Sequence, residues 1–303
     1  MAFTAFSAAP AVEQAPRKRG AIALVLLLPG IAYLMLFFLA PLISLVITSF
    51  QQPDLYGDIG DYVPGFQWQN YVDAVGEYLP LILRAFGFAL VATVLALVIS
   101  YPIAYLIGVK ARRFPLVQSL LLTLVIAPFF ISFLLRTLAW KQIMSDEGPI
   151  VQLLKSVAIL PSDGHLTGTA FSVIFGLTYN FIPFMTLPLY ATLERLDVRY
   201  LEAGADLYAS PFTVFRKVTI PLSMPGIVSG TLLTFIPAAG DYINASRDFL
   251  GSSSTAMVGN AIEANFLVLQ NYPIAAALSI VLMAVILIIV GVYVRRSGTE
   301  ELV

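Results

Sequence analysis

Cysteine is absent and histidine occurs once, at His165. Without cysteine there is no disulfide, no thiolate metal site and no cysteine nucleophile. A single histidine cannot build a histidine metal cluster, and nothing else in the sequence asks for a metal or organic cofactor. Charge is also scarce: 12% of the 303 residues are Asp, Glu, Lys or Arg, about half the share usual in soluble domains. Net charge is −1 and no basic block is long enough to suggest nucleic acid. No G-x-x-x-x-G-K-[ST] stretch occurs, so a Walker-type phosphate cradle is missing. Any nucleotide energy used by this protein must be bound by another chain.

What fills the sequence instead is apolar: 59% of residues are hydrophobic and mean hydropathy is +0.87. With so little charge to wet a surface, the main solvent is lipid. A helix crosses the ~30 Å hydrocarbon core with about 20 apolar residues. Six stretches qualify: Ala21–Phe50, Leu79–Gly108, Leu116–Trp140, Thr169–Leu193, Pro221–Gly240 and Pro273–Val294. The runs are unbroken, which favours helices over the ten-residue alternation of a barrel. The expected fold class is therefore all-α, with a 21–296 transmembrane domain between a disordered tail (1–20) and a short C-terminal tail (297–303). A cleaved signal is the competing reading of the N-terminus, but its apolar core would be shorter than Ala21–Phe50.

Placing the N-terminus inside puts Arg17, Lys18, Arg19, Lys110, Arg112, Arg113, Arg195, Arg199, Arg216, Lys217, Arg295 and Arg296 on the cytoplasmic side. Arg84, Arg136, Lys141, Lys155 and Arg247 are left for the spans and the other face. That asymmetry predicts cytoplasmic termini. The outer segments carry Asp54, Asp58, Asp61, Asp73, Glu77, Asp146, Glu147, Asp163, Asp248 and Glu263. They either attract a cationic solute or are what remains when basic residues are excluded.

Two outer-face pieces are too short to cross. Ile150–Leu160 follows a Gly148-Pro149 turn. Ala256–Leu269 follows the turn-rich Leu250–Thr255, whose hydroxyls suit an N-cap. The fifth span is rich in breakers (Pro221, Pro225, Gly226, Gly230, Pro237, Gly240), and the fourth has an expected interruption at Tyr179–Pro183. Gly226 and Gly230 form a G-x-x-x-G pair that admits a close helix neighbour. Among charges near the spans, Arg84 suits snorkelling and Arg136 an interfacial anchor beside Trp140. Asp241 is the candidate to meet a permeating cation. Tyr179, Asn180, Phe235, Tyr242 and Glu263 complete the candidate solute pathway, and the aromatic members offer either cation–π faces or apolar packing.

One hydrophilic stretch interrupts this pattern: Asp197–Gly226, DVRYLEAGADLYASPFTVFRKVTIPLSMPG. Asp197 can N-cap a helix over Val198–Leu207, with Glu202 and Asp206 one turn apart. Ser210-Pro211 is a start signal for a second helix carrying Phe212, Phe215 and Val218. Two short helices with a bend make a lever that either docks a partner or is merely solvated.

These residues carry a resemblance. LEAGADLYASPFTVFRKVTIPLSMPG resembles the "EAA" coupling loop of the membrane subunits of binding-protein-dependent ABC importers. Glu202, Ala203, Asp206, Leu207, Ala209, Ser210, Val218, Ile220 and Pro221 fall on that family's pattern. Gly204 stands where a second Ala is expected, and Tyr208 where the family bends on Gly. A left-handed backbone at Tyr208 would cost about 1–2 kcal/mol, so either the bend has another shape or docking holds the strain. Leu134–Ile150 and Pro237–Leu267 are similar to the spermidine/putrescine-type branch.

The resemblance implies a type I importer half of six spans with a coupling loop at 194–220, in the bacterial cytoplasmic membrane. Its implied partners are two cytoplasmic ATPase subunits, a second homologous permease subunit and an extracytoplasmic solute-binding protein. Its implied coupling residues are Glu202, Ala203, Gly204, Asp206, Leu207, Tyr208, Ser210, Pro211, Phe215 and Pro221. The chain would itself be no enzyme. A self-powered secondary transporter or channel is the alternative, expected to show inverted repeats and charges deep in the spans. An intramembrane enzyme is a third class, against which the lone His165 and the lack of cysteine count.

Overall fold

The computed structural model describes residues 19–54 and 56–296. The tails expected at 1–20 and 297–303 lie outside the described residues, except that helix already begins at Arg19. Thirteen α-helical segments follow in chain order among the described residues. They are α1 (Arg19–Leu34), α2 (Ala40–Ser49), α3 (Gln69–Tyr105), α4 (Pro115–Ile126), α5 (Phe133–Met144), α6 (Pro149–Ser156) and α7 (Ala170–Arg195). Then come α8 (Arg199–Asp206), α9 (Pro211–Val214), α10 (Ile220–Leu222), α11 (Met224–Ala239), α12 (Val258–Glu263) and α13 (Tyr272–Arg296). Two short strands, β1 (Gln52–Pro53) and β2 (Tyr62–Val63), pair antiparallel. The chain divides into two compact units, Met1–Ile47 and Thr48–Val303, and the second holds every candidate site residue.

Among the described residues, four helical stretches are by themselves long and apolar enough to cross a membrane: Leu26–Ser49, Gln69–Arg113, Ala170–Arg195 and Tyr272–Arg296. Two more apolar stretches are broken. Pro115–Phe130 meets Phe133–Ser156 at 94°, and Pro211–Leu222 meets Met224–Ala239 at 67°. The expected span Leu116–Trp140 is therefore built of two helices that meet at a bend. Pro128 lies in a 3-10 turn, and Ile131 then takes an extended backbone (φ −106°, ψ 136°) that ends the first of them. The second bend falls at Ser223, after which α11 restarts with Pro225 in its first turn, where a missing N–H costs nothing.

The core is a three-helix contact in which small residues of two helices meet large ones of the third. Ala85, Ala89, Ala92 and Ala96 on α3 are fully buried and recur at i, i+4, i+7 and i+11, one face of a helix. Across from them α7 buries Leu177, Phe181, Met185, Leu189 and Leu193 at four-residue spacing. Small residues let backbones approach where lipid gives no hydrophobic drive between helices, so dispersion carries the packing. Gly226 and Gly230 of α11 serve the same end. A Cβ on Gly226 would sit 2.6 Å from Thr192 Oγ1 and 2.9 Å from the Pro188 carbonyl, and one on Gly230 3.0 Å from the Met185 carbonyl. The G-x-x-x-G pair therefore seats α11 on α7 of the same chain.

The interruption expected at Tyr179–Pro183 does not occur: α7 stays helical through Pro183 and Pro188. Neighbouring hydroxyls occupy the backbone around the prolines. Ser100 Oγ and Thr186 Oγ1 both donate to the Ile182 carbonyl beside Pro183, at 3.3 and 2.8 Å, whereas the carbonyls that Pro183 and Pro188 deprive of a helical donor are those of Tyr179 and Phe184.

Candidate functional site

The stretch Asp197–Gly226 folds much as its local signals dictate. Asp197 Oδ1 accepts from the Arg199 N–H at 3.0 Å and opens α8. Ser210 Oγ accepts from the Thr213 N–H at 3.3 Å and opens α9, with Pro211 in its first turn. Between them Tyr208 has φ +56°, and the Ala209 N–H reaches back to the Gly204 carbonyl at 3.2 Å. That is the six-to-one bond of a Schellman motif, with Tyr208 in the left-handed position that glycine ordinarily fills. Of the two alternatives, the bend keeps its shape and Tyr208 bears the strain.

Gly204, the other departure from the pattern, has its own reason. A Cβ there would lie 2.9 Å from Val214 Cγ2, so its absence lets α8 close onto α9. The remaining expected coupling residues divide into two sets. Glu202, Ala203, Asp206, Leu207, Tyr208, Ser210, Pro211 and Pro221 are exposed. Leu207 (81% exposed), Tyr208 (98%) and Phe212 (70%) put apolar side chains at the bend. Phe215 points the other way and packs edge-on against Tyr101 and Tyr105 of α3, at centroid distances of 5.4 and 6.5 Å. Just beyond, Tyr101 Oη and Ser223 Oγ share a buried 2.7 Å hydrogen bond. The lever is thus pinned to α3 at its hinge and apolar at its free end.

A residue that sequence reading treated only as a topological charge proves to hold the lever's other end. Arg112 donates from Nε to the Gly108 carbonyl (3.1 Å), from Nη1 to Leu196 (3.2 Å), and from Nη2 to Leu193 (3.0 Å) and Glu194. It therefore caps the C-terminal carbonyls of α7, where a cation is favoured by the helix dipole. The π-helical turn Leu106–Lys110 brings Gly108 to this place. A Cβ on Gly108 would stand 3.2 Å from the Glu194 nitrogen. No short-range motif announces this contact, because its partners lie more than 80 residues away.

The candidate solute residues do not converge on one cavity. Asp241 is 7% exposed, and its Oδ2 and Oδ1 accept from the Asn244 backbone N–H (2.8 Å) and Nδ2 (3.1 Å). Asn180 Nδ2 donates to Asn244 Oδ1 (3.1 Å) and Thr137 Oγ1 (3.2 Å). Asp241 and Asn180 are therefore joined through Asn244 in one buried network that ties α5, α7 and the loop after α11. Tyr179 belongs to an aromatic ladder with Phe175 (6.4 Å, stacked) and Trp140 (5.2 Å, edge-on). Phe235 is buried against Phe86. Tyr242 is 45% exposed, and its carbonyl accepts from Asn260 Nδ2 at 2.6 Å.

Glu263 lies apart from these, in a cavity of about 490 Å³ that also takes in Tyr78, Asp248 and Asn265. Burial, with help from the Asp248 carboxylate, raises the Glu263 carboxyl above its ordinary pKa. The short helix that carries it starts at Val258 and not on a hydroxyl cap: the Met257 N–H is taken by Asn260 Oδ1 at 3.0 Å. Ser252 and Thr255 instead close a turn on each other, with the Ser252 N–H donating to Thr255 Oγ1 at 2.7 Å.

Two basic residues differ from expectation. Arg84 does not reach away from the protein: its Nη1 donates to the Ala256 carbonyl at 2.9 Å and ties α3 to the loop before α12. Arg136 is no interfacial anchor. It is 8% exposed, its guanidinium stands 5.7 Å from the Phe133 ring centroid, and its Nε and Nη1 have no hydrogen-bond partner among the described residues.

Comparison with known proteins places this geometry. Residues 100–297 match the family described as binding-protein-dependent transport system inner membrane component. The chain is 34% identical to the spermidine/putrescine transport system permease protein PotB of Haemophilus influenzae, over 88% of this chain and 91% of the relative. It is also 34% identical to PotB of Escherichia coli, over 88% and 94%. Among solved structures, a bacterial ABC transporter involved in import of the acidic polysaccharide alginate aligns with TM-score 0.65 at 17% identity. That alignment covers 93% of this chain and 97% of the other, a likeness of fold.

Proposed function

Since the chain belongs to the family of binding-protein-dependent transport system inner membrane components, we propose that it forms half of the translocation pathway for a polyamine of the spermidine/putrescine class. It is a multi-pass permease subunit of the inner membrane. The polyamine assignment draws on the 34% identity to PotB over most of both chains. In this reading the bent pairs count as spans, giving six crossings with both termini cytoplasmic. A second permease subunit supplies the other half, an extracytoplasmic solute-binding protein delivers the solute, and two cytoplasmic ATPase subunits bind and hydrolyse ATP. This chain supplies mechanical work and no covalent chemistry.

The observation that carries the coupling half of this reading is the lever itself. Its tip presents Leu207, Tyr208 and Phe212 to solvent, and exposed apolar side chains cost free energy unless a partner covers them. Closure of the ATPase dimer draws the tips together. The pin at Phe215 and Ser223 passes that motion to α3 and α11, and the Arg112 cap passes it to the end of α7. A mouth between two such halves then opens alternately to either side.

Two measurements test the proposal. ATP-driven uptake of labelled spermidine or putrescine into vesicles holding the assembled transporter should be competed by the other polyamine and not by amino acids or sugars. Uptake of a sugar instead would overturn the solute assignment. Glu202→Ala and Asp206→Lys should lower uptake about tenfold, the effect of a mismatched interfacial charge, while the subunit still inserts. Undiminished uptake in both variants would remove the docking role.

A further inference from the structure

On the side of the coupling loop, the turns that follow α3 and the residue before α8 frame a cavity of about 540 Å³. It is lined by Val109, Lys110, Arg112, Arg113, Phe114 and Val198. Three of the six lining residues are cations and none is a carboxylate. Arg112 spends its donors on the α7 carbonyls, but its charge is not cancelled by them. Lys110 and Arg113 are exposed. From the same rim α4 departs, a twelve-residue helix with no buried residue. Leu116 (87% exposed), Leu120 (61%) and Leu124 (60%) recur on it every fourth position and so form one apolar strip running away from the cavity.

A cationic hollow at the end of an uncovered apolar strip has the two-part chemistry of a phospholipid. We propose that the cavity holds the phosphate-bearing headgroup of an anionic phospholipid, whose acyl chains lie along Leu116, Leu120 and Leu124 of α4. Lys110 and Arg113 contact the headgroup, Phe114 marks the boundary between headgroup and chain, and Arg112 adds its field from behind. The strip distinguishes a lipid from free phosphate, which needs the cations alone. Val198, at the entry to α8, shares the cavity, so the bound lipid would buttress the root of the coupling lever. The proposal requires only that the chain lies in a membrane, so it stands or falls independently of the solute and the motor.

The test is lipid retention by the purified native complex, read by mass spectrometry of the intact assembly during delipidation. Wild type should keep phosphatidylglycerol longer than phosphatidylcholine. The double variant Lys110→Gln with Arg113→Gln should retain about tenfold less phosphatidylglycerol, in line with the attraction of juxtamembrane basic residues for anionic lipid. The pair Arg295→Gln with Arg296→Gln, two exposed charges at the end of α13, should behave as wild type. Equal loss from both pairs would reduce the site to diffuse surface charge and overturn the proposal. So would displacement of the lipid by inorganic phosphate. Should the first variant fail to fold, wild type alone decides. Phosphatidylglycerol must raise its unfolding temperature in lipid nanodiscs above the phosphatidylcholine value, and no rise removes the site.

Discussion

The two polar regions of this chain use their side chains in opposite ways. In the coupling loop each capping group serves backbone two or three residues away, as Asp197 serves Arg199 and Ser210 serves Thr213. The apolar residues there are what face outward. Around Asp241 the polar groups face inward: Asp241 holds Asn244 three residues on, and Asn180 ties that turn to distant chain, reaching Thr137 at 43 residues and Asn244 at 64. An exposed apolar tip is unsatisfied and calls for a partner. The buried polar network spends most of its groups on one another, Asn180 Oδ1 being left without a partner among the described residues, and holds the chain together.

The comparison breaks most sharply at Asp241. If its carboxylate meets the solute, Asp241→Asn changes uptake and leaves stability alone. If it closes the loop, the asparagine turns an NH₂ group against one of the two Asn244 donors. The variant should then lose about 2–3 kcal/mol, the range for charged hydrogen bonds whose partners are left buried. We expect the second result, read as a lower unfolding temperature of the purified complex with no added polyamine. A variant as stable as wild type but with a raised half-saturating polyamine concentration would return Asp241 to the solute pathway.

How much was legible in the sequence follows the same division. The all-helical membrane class, the two coupling helices and their caps were readable because periodicity, Asp197 and Ser210-Pro211 act within a few residues. The bend at Tyr208 was readable as a question, since the left-handed position is local but its tolerance is not. The 94° break after Phe130 escaped notice because Pro128 alone does not separate a kink from a break; the extended backbone at Ile131 does. Pro183 misled in the other direction. Proline removes one helical N–H and need not end a helix in a membrane, and α7 runs on through both Pro183 and Pro188. Arg84, Arg112 and Arg136 all read as membrane-edge charges, yet their roles are set by carbonyls, or by a lack of partners, that no spacing rule reaches.

Phe215 tests whether the lever's root and tip are separate parts. Its ring packs on Tyr101 and Tyr105 and is only partly buried, so Phe215→Ala should cost about 2 kcal/mol, below the range for fully buried phenylalanine. The lever should also loosen at its hinge. ATP hydrolysis by the complex should continue while uptake falls, an uncoupled phenotype. Loss of the ATPase subunits on purification would instead place Phe215 at the docking surface with Leu207 and Phe212.

Tyr208 offers the finest test, because bend and contact can be separated there. The left-handed backbone costs a residue with a Cβ about 1–2 kcal/mol, and glycine returns part of that gain as unfolded-state entropy, roughly 0.4–1 kcal/mol. Tyr208→Gly should therefore stabilise the isolated subunit by at most about 1.6 kcal/mol, whereas Tyr208→Ala keeps the strain. Both remove a ring that is 98% exposed and has no packing to lose. If the ring contacts the ATPase, both variants lose uptake despite their different stabilities. If Tyr208 only turns the chain, Tyr208→Gly transports at least as well as wild type and Tyr208→Ala matches wild type. The exposed ring at a position glycine would fill at lower cost argues for the first outcome: the strain is kept because the side chain is used.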